Sequence, residues 1–140
     1  MLKRMGRYKI INHTADTGIE VEGKDLTEVF FESYKGLYKI AGVEKGEKEG
    51  RDKIKIVADT YEELLIKFLN ELIFYIYGEK KYCEIKKLEI KKEDKEIELK
   101  VEIEKYGIKK FEREVKAATY HNISIKNKNG AFATKIIFDL

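Results

Sequence analysis

Six aspartates occur in this 140-residue chain, and four have duties that their neighbours explain. Asp25 and Asp59 stand where helices should begin and read as caps. Asp52 and Asp94 sit in loops beside strand starts. Asp16 and Asp139 are left over. Asp16 follows the first strand in a polar loop that also carries His13. Asp139 ends the run Ile136-Ile137-Phe138, one residue before the main-chain carboxylate of Leu140. A carboxylate beside an apolar strand and a second carboxylate is poorly placed unless something neutralises it. A hard cation would do so, because calcium and magnesium take clustered oxygens from Asp and main-chain groups. Taken singly, Asp16 also suits an Asx-turn, and Asp139 a frayed terminus.

Three further side chains are candidates for chemistry. His13 and His121 are the two histidines. With a carboxylate they suit zinc, and alone they suit acid–base work. Packing, or a hydrogen bond to backbone, is the plainer role for each. Lys116 lies in Glu114-Val115-Lys116-Ala117-Ala118-Thr119-Tyr120-His121, where alternation places it on one face with Ala118 and Tyr120. A lysine among small residues can reach a phosphate. It can equally be one more solvent-facing lysine. Other templates fail. Gly46 and Gly50 lack the Lys-Ser/Thr tail of a phosphate loop, and no Gly-x-Ser-x-Gly elbow occurs. Cys83 stands in a charged hairpin with no histidine near it in sequence, so a thiol nucleophile is not expected.

Composition narrows the classes. One cysteine excludes an internal disulfide framework and a cysteine-based zinc site. No apolar run approaches the roughly 18 residues of a membrane span, and Met1–Arg7 is basic without an apolar stretch behind it. A cytoplasmic protein without membrane partners is expected. Lysine plus arginine number 29 against 26 acids, a net charge of only +3 although 39% of the chain is charged. Lysines and glutamates are interleaved, which favours a salt-bridged surface over a nucleic-acid-binding one.

The elements that must position these residues can be read in order. A strand covers Tyr8 to about Asn12, and a second Ile19–Glu22. A helix runs from about Leu26 to Ala41, boxed by Asp25 and Glu28 and stopped by Gly42. A glycine- and glutamate-rich loop over Glu44–Gly50 precedes a strand marked by Ile54 and Ile56. The second helix runs from about Thr60 to Tyr77, with a broad apolar face from Leu64 to Ile76, and Gly78 ends it. Thereafter the period is two. Ile85, Leu88 and Ile90 slip by one residue and predict a bulge. Ile97, Leu99, Val101 and Ile103 alternate cleanly, and Tyr106-Gly107 reads as a turn. A long strand is expected over Phe111–Thr119, continued by Ile123 and Ile125. Asn127-Lys128-Asn129-Gly130 signals a hairpin before the last strand, from Phe132 onward. The order ββαβα followed by a β-meander implies one α+β domain over residues 1–140, with two helices packed on a mostly antiparallel β-sheet.

Several blocks together resemble the archease family: His13-Thr14-Ala15-Asp16 with Gly18, Asp25-Leu26-x-Glu28, Leu64-Leu65 through Phe68-Leu69-Asn70-Glu71-Leu72, the Glu114–His121 block, and the ending Ile136-Ile137-Phe138-Asp139-Leu140. They span nearly the whole chain in family order. The resemblance implies a small α+β accessory protein, not an enzyme, that assists an RtcB-type RNA ligase in tRNA splicing. Archeases promote guanylylation and turnover of that ligase, so tRNA and GTP are implied indirectly. It further implies a divalent cation on Asp16, Asp139 and the terminal carboxylate of Leu140. Calcium leads, with Mg2+, Mn2+ or Zn2+ as alternatives. Lys116 would be the functional lysine, with His13 and His121 as contact residues. Two rivals stand beside this reading: an RNA-binding module that presents tRNA ends, and a small metal-dependent hydrolase using His13, Asp16 and His121.

Overall fold

Local side-chain chemistry sets the helix boundaries. In the computed structural model, which describes residues 6–12 and 16–140, helix α1 spans Leu26–Ala41. Asp25 Oδ1 accepts from Glu28 N at 2.9 Å, and Glu28 Oε1 accepts from Lys24 N at 2.9 Å. The box therefore closes on the residue before the cap. Gly42 ends the helix at φ 61°, its N–H reaching Tyr38 O and Lys39 O. Helix α2 spans Tyr61–Ile73 and starts at Thr60, whose hydroxyl accepts from Glu63 N at 3.1 Å. Asp59 is not the cap; its N–H donates to Glu63 Oε1. The helix expected to reach Tyr77 widens after Ile73 into a π-helical turn over Phe74–Gly78.

The strands form two antiparallel sheets, and with the two helices they make the expected α+β fold. Strands β1 (Arg7–Asn12), β2 (Asp16–Gly23), β8 (Ala131–Asp139) and β6 (Ala117–Ala118) lie side by side in that order, and β7 (Lys126–Lys128) also pairs with β8. Strands β3 (Glu44–Ala58), β5 (Glu96–Lys110) and β4 (Lys81–Glu93) form the second sheet, in that order. Helix α1 packs on β1 and β2, and α2 on β3, β5 and β6. Phe30 of α1 stacks on Phe68 of α2 with ring centroids 5.9 Å apart. Leu64, Leu65, Phe68, Leu69 and Leu72 are wholly buried, so α2 lies at the centre of the core. Among the described residues, no helix is long and apolar enough to cross a membrane.

Five expectations about the strands are corrected or sharpened. Glu44–Gly50 is not a loop but the irregular first half of β3, held to its sheet by Lys45–Glu84 (2.8 Å), Lys81–Glu49 and Lys48–Glu104 ion pairs. Tyr106-Gly107 does not turn the chain: β5 runs on to Lys110, with Gly107 opposite Lys81. A Cβ on Gly46 would meet Gly107 O at 3.0 Å, so these glycines mark a close approach of two backbones. The long strand over Phe111–Thr119 shrinks to Ala117–Ala118, and residues 111–116 cross the surface instead. There Glu112 N and Arg113 N share Ala41 O, and Tyr77 Oη donates to Arg113 O at 2.6 Å. The bulge is found between Ile85 and Lys87. Asn129 and Gly130, at φ 52° and 82°, make the two-residue turn between β7 and β8.

Candidate metal centre

The last strand brings the two unexplained aspartates together. β2 and β8 pair antiparallel in a register that sets Asp16 directly opposite Asp139 and Thr17 opposite Phe138. Thr17, Ile19, Ile136 and Phe138 are buried beneath the helices. By alternation, Asp16 and Asp139 share the other, open face of the sheet. Facing residues of an antiparallel pair have Cβ atoms about 4.5–5.5 Å apart, close enough for one ion to touch both carboxylates. Asp139 is exposed, whereas Asp16 is half-buried. Asp16 Oδ1 is fully shielded and has no hydrogen-bond partner among the described residues. A shielded carboxylate oxygen without a donor, facing a second carboxylate, fits a cation.

Neighbouring elements hold the end of β8 still. On its far side Ala117 faces Asp139, and Lys116 N donates to Asp139 O at 2.8 Å. Thr119 gives both N–H (2.9 Å) and hydroxyl (3.0 Å) to Ile137 O. Two-residue β6 is clamped from behind by Asn70 of α2. Its Oδ1 accepts from Ala118 N at 2.8 Å and its Nδ2 donates to Ala118 O at 3.1 Å. A side-chain amide thus replaces the missing strand partner. Sequence reasoning passed over Asn70, although a polar residue between Leu69 and Leu72 in a buried helix is a visible signal.

His121 and Asn122 meet Asp16, Lys135 and Ile137 around a pocket of about 320 Å³. The structure therefore joins His121 to Asp16 across a long sequence gap. Lys135 was not singled out from sequence, yet it shares strand parity with Ile137 and Asp139. His13 lies outside the described residues. Lys116 is exposed, and its side chain is not among the groups that line the pocket. Ala118 is buried while Lys116 is exposed, so the expected shared face does not exist. Leu140 packs its side chain partly against the core.

The donor set favours oxygen. Among the described residues, no three His, Cys, Asp or Glu side chains cluster as a metal cage. Two carboxylates are supplied by side chains, and further ligands must come from main chain or solvent. That set suits Ca2+, Mg2+ or Mn2+ better than Zn2+. Cys83 offers nothing here: it is buried, Tyr38 Oη accepts from its N–H at 3.1 Å, and burial pushes its thiol up to about 12. The outer face of the second sheet is largely self-neutralised. Lys86 pairs with both Glu84 and Glu104, and Lys55 and Lys100 both with Glu98. The hydrogen bond from Lys48 lowers the Glu104 carboxyl.

The geometry can be set beside known proteins. The model of the Archease protein family (MTH1598/TM1083) matches residues 8–140. "Protein archease" of Pyrococcus abyssi is 32% identical over 97% of this chain and 100% of its own length. That of Sulfurisphaera tokodaii is 28% identical, again over 97% and 100%. The solution structure of protein 1598 of Methanobacterium thermoautotrophicum superposes with a TM-score of 0.75 at 26% identity, covering 95% of this chain and 98% of that one. The crystal structure of an archease, possible chaperone, from Thermotoga maritima gives 0.63 at 25%, over 94% and 96%. A family match from the first strand to the last residue, carried by relatives of equal extent, leaves one conclusion: this chain belongs to the archease family.

Proposed function

We propose that this protein is a non-enzymatic accessory factor that activates an RtcB-type tRNA-splicing RNA ligase by promoting its guanylylation and turnover. Membership in the archease family supports the accessory role. The observation that carries the cation is the Asp16–Asp139 pair, cross-strand neighbours with one shielded oxygen that has no donor among the described residues. Asp16, Asp139 and the terminal carboxylate of Leu140 would hold a divalent ion, with Ca2+ first for an oxygen-only set. When bound, the ion supplies fixed positive charge at the end of β8. The chain's own residues keep that end in place. Lys116 N–H and the Thr119 clasp fix the Asp139 and Ile137 carbonyls, and Asn70 fixes the strand that carries them. The Lys116 side chain is exposed on the same segment and is available to an anionic group of the partner.

The test is guanylylation of the partner ligase with and without this protein. Stimulation by the wild type, and its loss in Asp139→Ala with the fold intact, is the expected result. An extension fused after Leu140 should harm stimulation more than one fused at the N-terminus. No stimulation by the wild type, or undiminished stimulation by Asp139→Ala, overturns the reading.

A further inference from the structure

On its β2 side strand β8 is paired from Phe132 to Asp139, but on the other side the pairing is interrupted. Thr119 N reaches Ile137 O, and pairing resumes only at Lys126 opposite Ala133. Residues 120–125 thus stand opposite 134–136 alone, and the surplus chain lifts away. Ile123 N turns back to Tyr120 O at 3.3 Å, and Ile125 N is drawn to Glu62 Oε2 of α2 at 3.0 Å. Between this arch and β8 lies a cleft of about 330 Å³. It shares Asn122 and Lys135 with the Asp16 pocket, so the two adjoin.

Its lining is rich in donors. Lys126, Lys128 and Lys135 border it, and register places all three on the open face with Asp139. None of them makes an ion pair within 4 Å among the described residues, unlike the paired lysines of the second sheet. Two glutamates also line the cleft. Arg7 holds Glu22 at 2.7 Å, and Glu20 stands directly opposite Lys135 on one side and Lys9 on the other.

We propose that this cleft binds an oligophosphate, the phosphate chain of a nucleotide, with its cation end at Asp16 and Asp139. Lys126 and Lys128 are two residues apart, about 7 Å along the strand, so their charges suit a chain of phosphates rather than one. A small hard cation is commonly shared between protein carboxylates and substrate phosphates, and the two adjoining pockets offer a place for each. An RNA strand would call for aromatic faces on which bases stack, and no residue lining the 330 Å³ cleft is aromatic. The inference rests on the accessory reading for the source of the nucleotide, not for the binding itself.

Titration calorimetry of the full chain tests it, with tripolyphosphate, GTP and a single-stranded RNA oligonucleotide, each with and without Ca2+. Tripolyphosphate and GTP should bind, and more tightly with Ca2+. Lys126→Gln and Lys135→Gln should each weaken binding roughly tenfold, the loss of one charge-assisted contact. Glu20→Gln should tighten it, which a merely structural lysine cluster would not produce. The exposed Lys92 of β4 is the control, and Lys92→Gln should be silent. No binding of either phosphate, RNA bound more tightly than tripolyphosphate, or Lys92→Gln matching Lys135→Gln overturns the inference. Such failure leaves the accessory reading standing if the ligase is still stimulated.

Discussion

Removing one of the two facing carboxylates should reverse the order of stability with and without calcium. Asp139→Asn is the cleaner perturbation, because Asp139 is exposed and the amide buries no new donor. Asp16 and Asp139 are cross-strand partners, which places the charges roughly 5 Å apart. Their repulsion is then about 3 kcal/mol at an effective dielectric of 20 and about 1 kcal/mol in water. With Asp139 open to solvent, the lower end applies. In EGTA the variant should therefore be more stable than the wild type by about 1 kcal/mol, or about 3 °C in Tm for a chain of this size. With calcium at about a hundred times its Kd, the wild type gains about 2.7 kcal/mol by mass action. The variant, left with one side-chain carboxylate, gains little. Thermal unfolding followed by circular dichroism, in EGTA and in CaCl2, should show the two curves exchanging order. A wild-type Tm indifferent to calcium, or a variant less stable in both buffers, refutes the argument.

Lys116→Ala should cut ligase guanylylation about tenfold or more if its ammonium meets a charge in a desolvated interface, where such a contact is worth about 2–5 kcal/mol. Its Tm should not move, because the side chain is exposed, and equal behaviour of Lys116→Ala and Lys92→Ala in that assay would make the block structural. Asn70→Ala leaves both main-chain groups of Ala118 unpaired and should destabilise the fold by about 2–4 kcal/mol, with new proteolysis in residues 111–125; a Tm within a degree of wild type would show that the clamp is dispensable. Cys83, with its thiol pushed up to about 12, stays protonated at pH 8. Its alkylation by iodoacetamide should therefore wait on unfolding, and prompt labelling of the native protein would contradict its burial.

The residues themselves announced whatever depends on near neighbours. Asp25, Gly42 and Thr60 mark helix ends through hydrogen bonds to residues at most four away. Asn129-Gly130 specifies its turn because both positions need positive φ, and the slipped spacing of Ile85 and Leu88 betrays a bulge within one strand. Asp16 and Asp139 stood out because no local duty explained them. Long-range pairing decided the rest. Glu44–Gly50 carries no apolar alternation, so it reads as loop until Glu84, Lys81 and Glu104 supply cross-strand ion partners. Tyr106-Gly107 has the local form of a turn, yet its glycine serves an approach by Gly46 of a distant strand. The Glu114–Ile125 region alternates like one long strand, but Asn70 and Glu62 of α2 hold part of it in place and draw part of it away. The division into two sheets, the facing of two aspartates from opposite ends of the chain, and the cleft under the arch all arise from contacts between residues far apart in sequence. Periodicity within a segment carries no information about which distant backbone completes it.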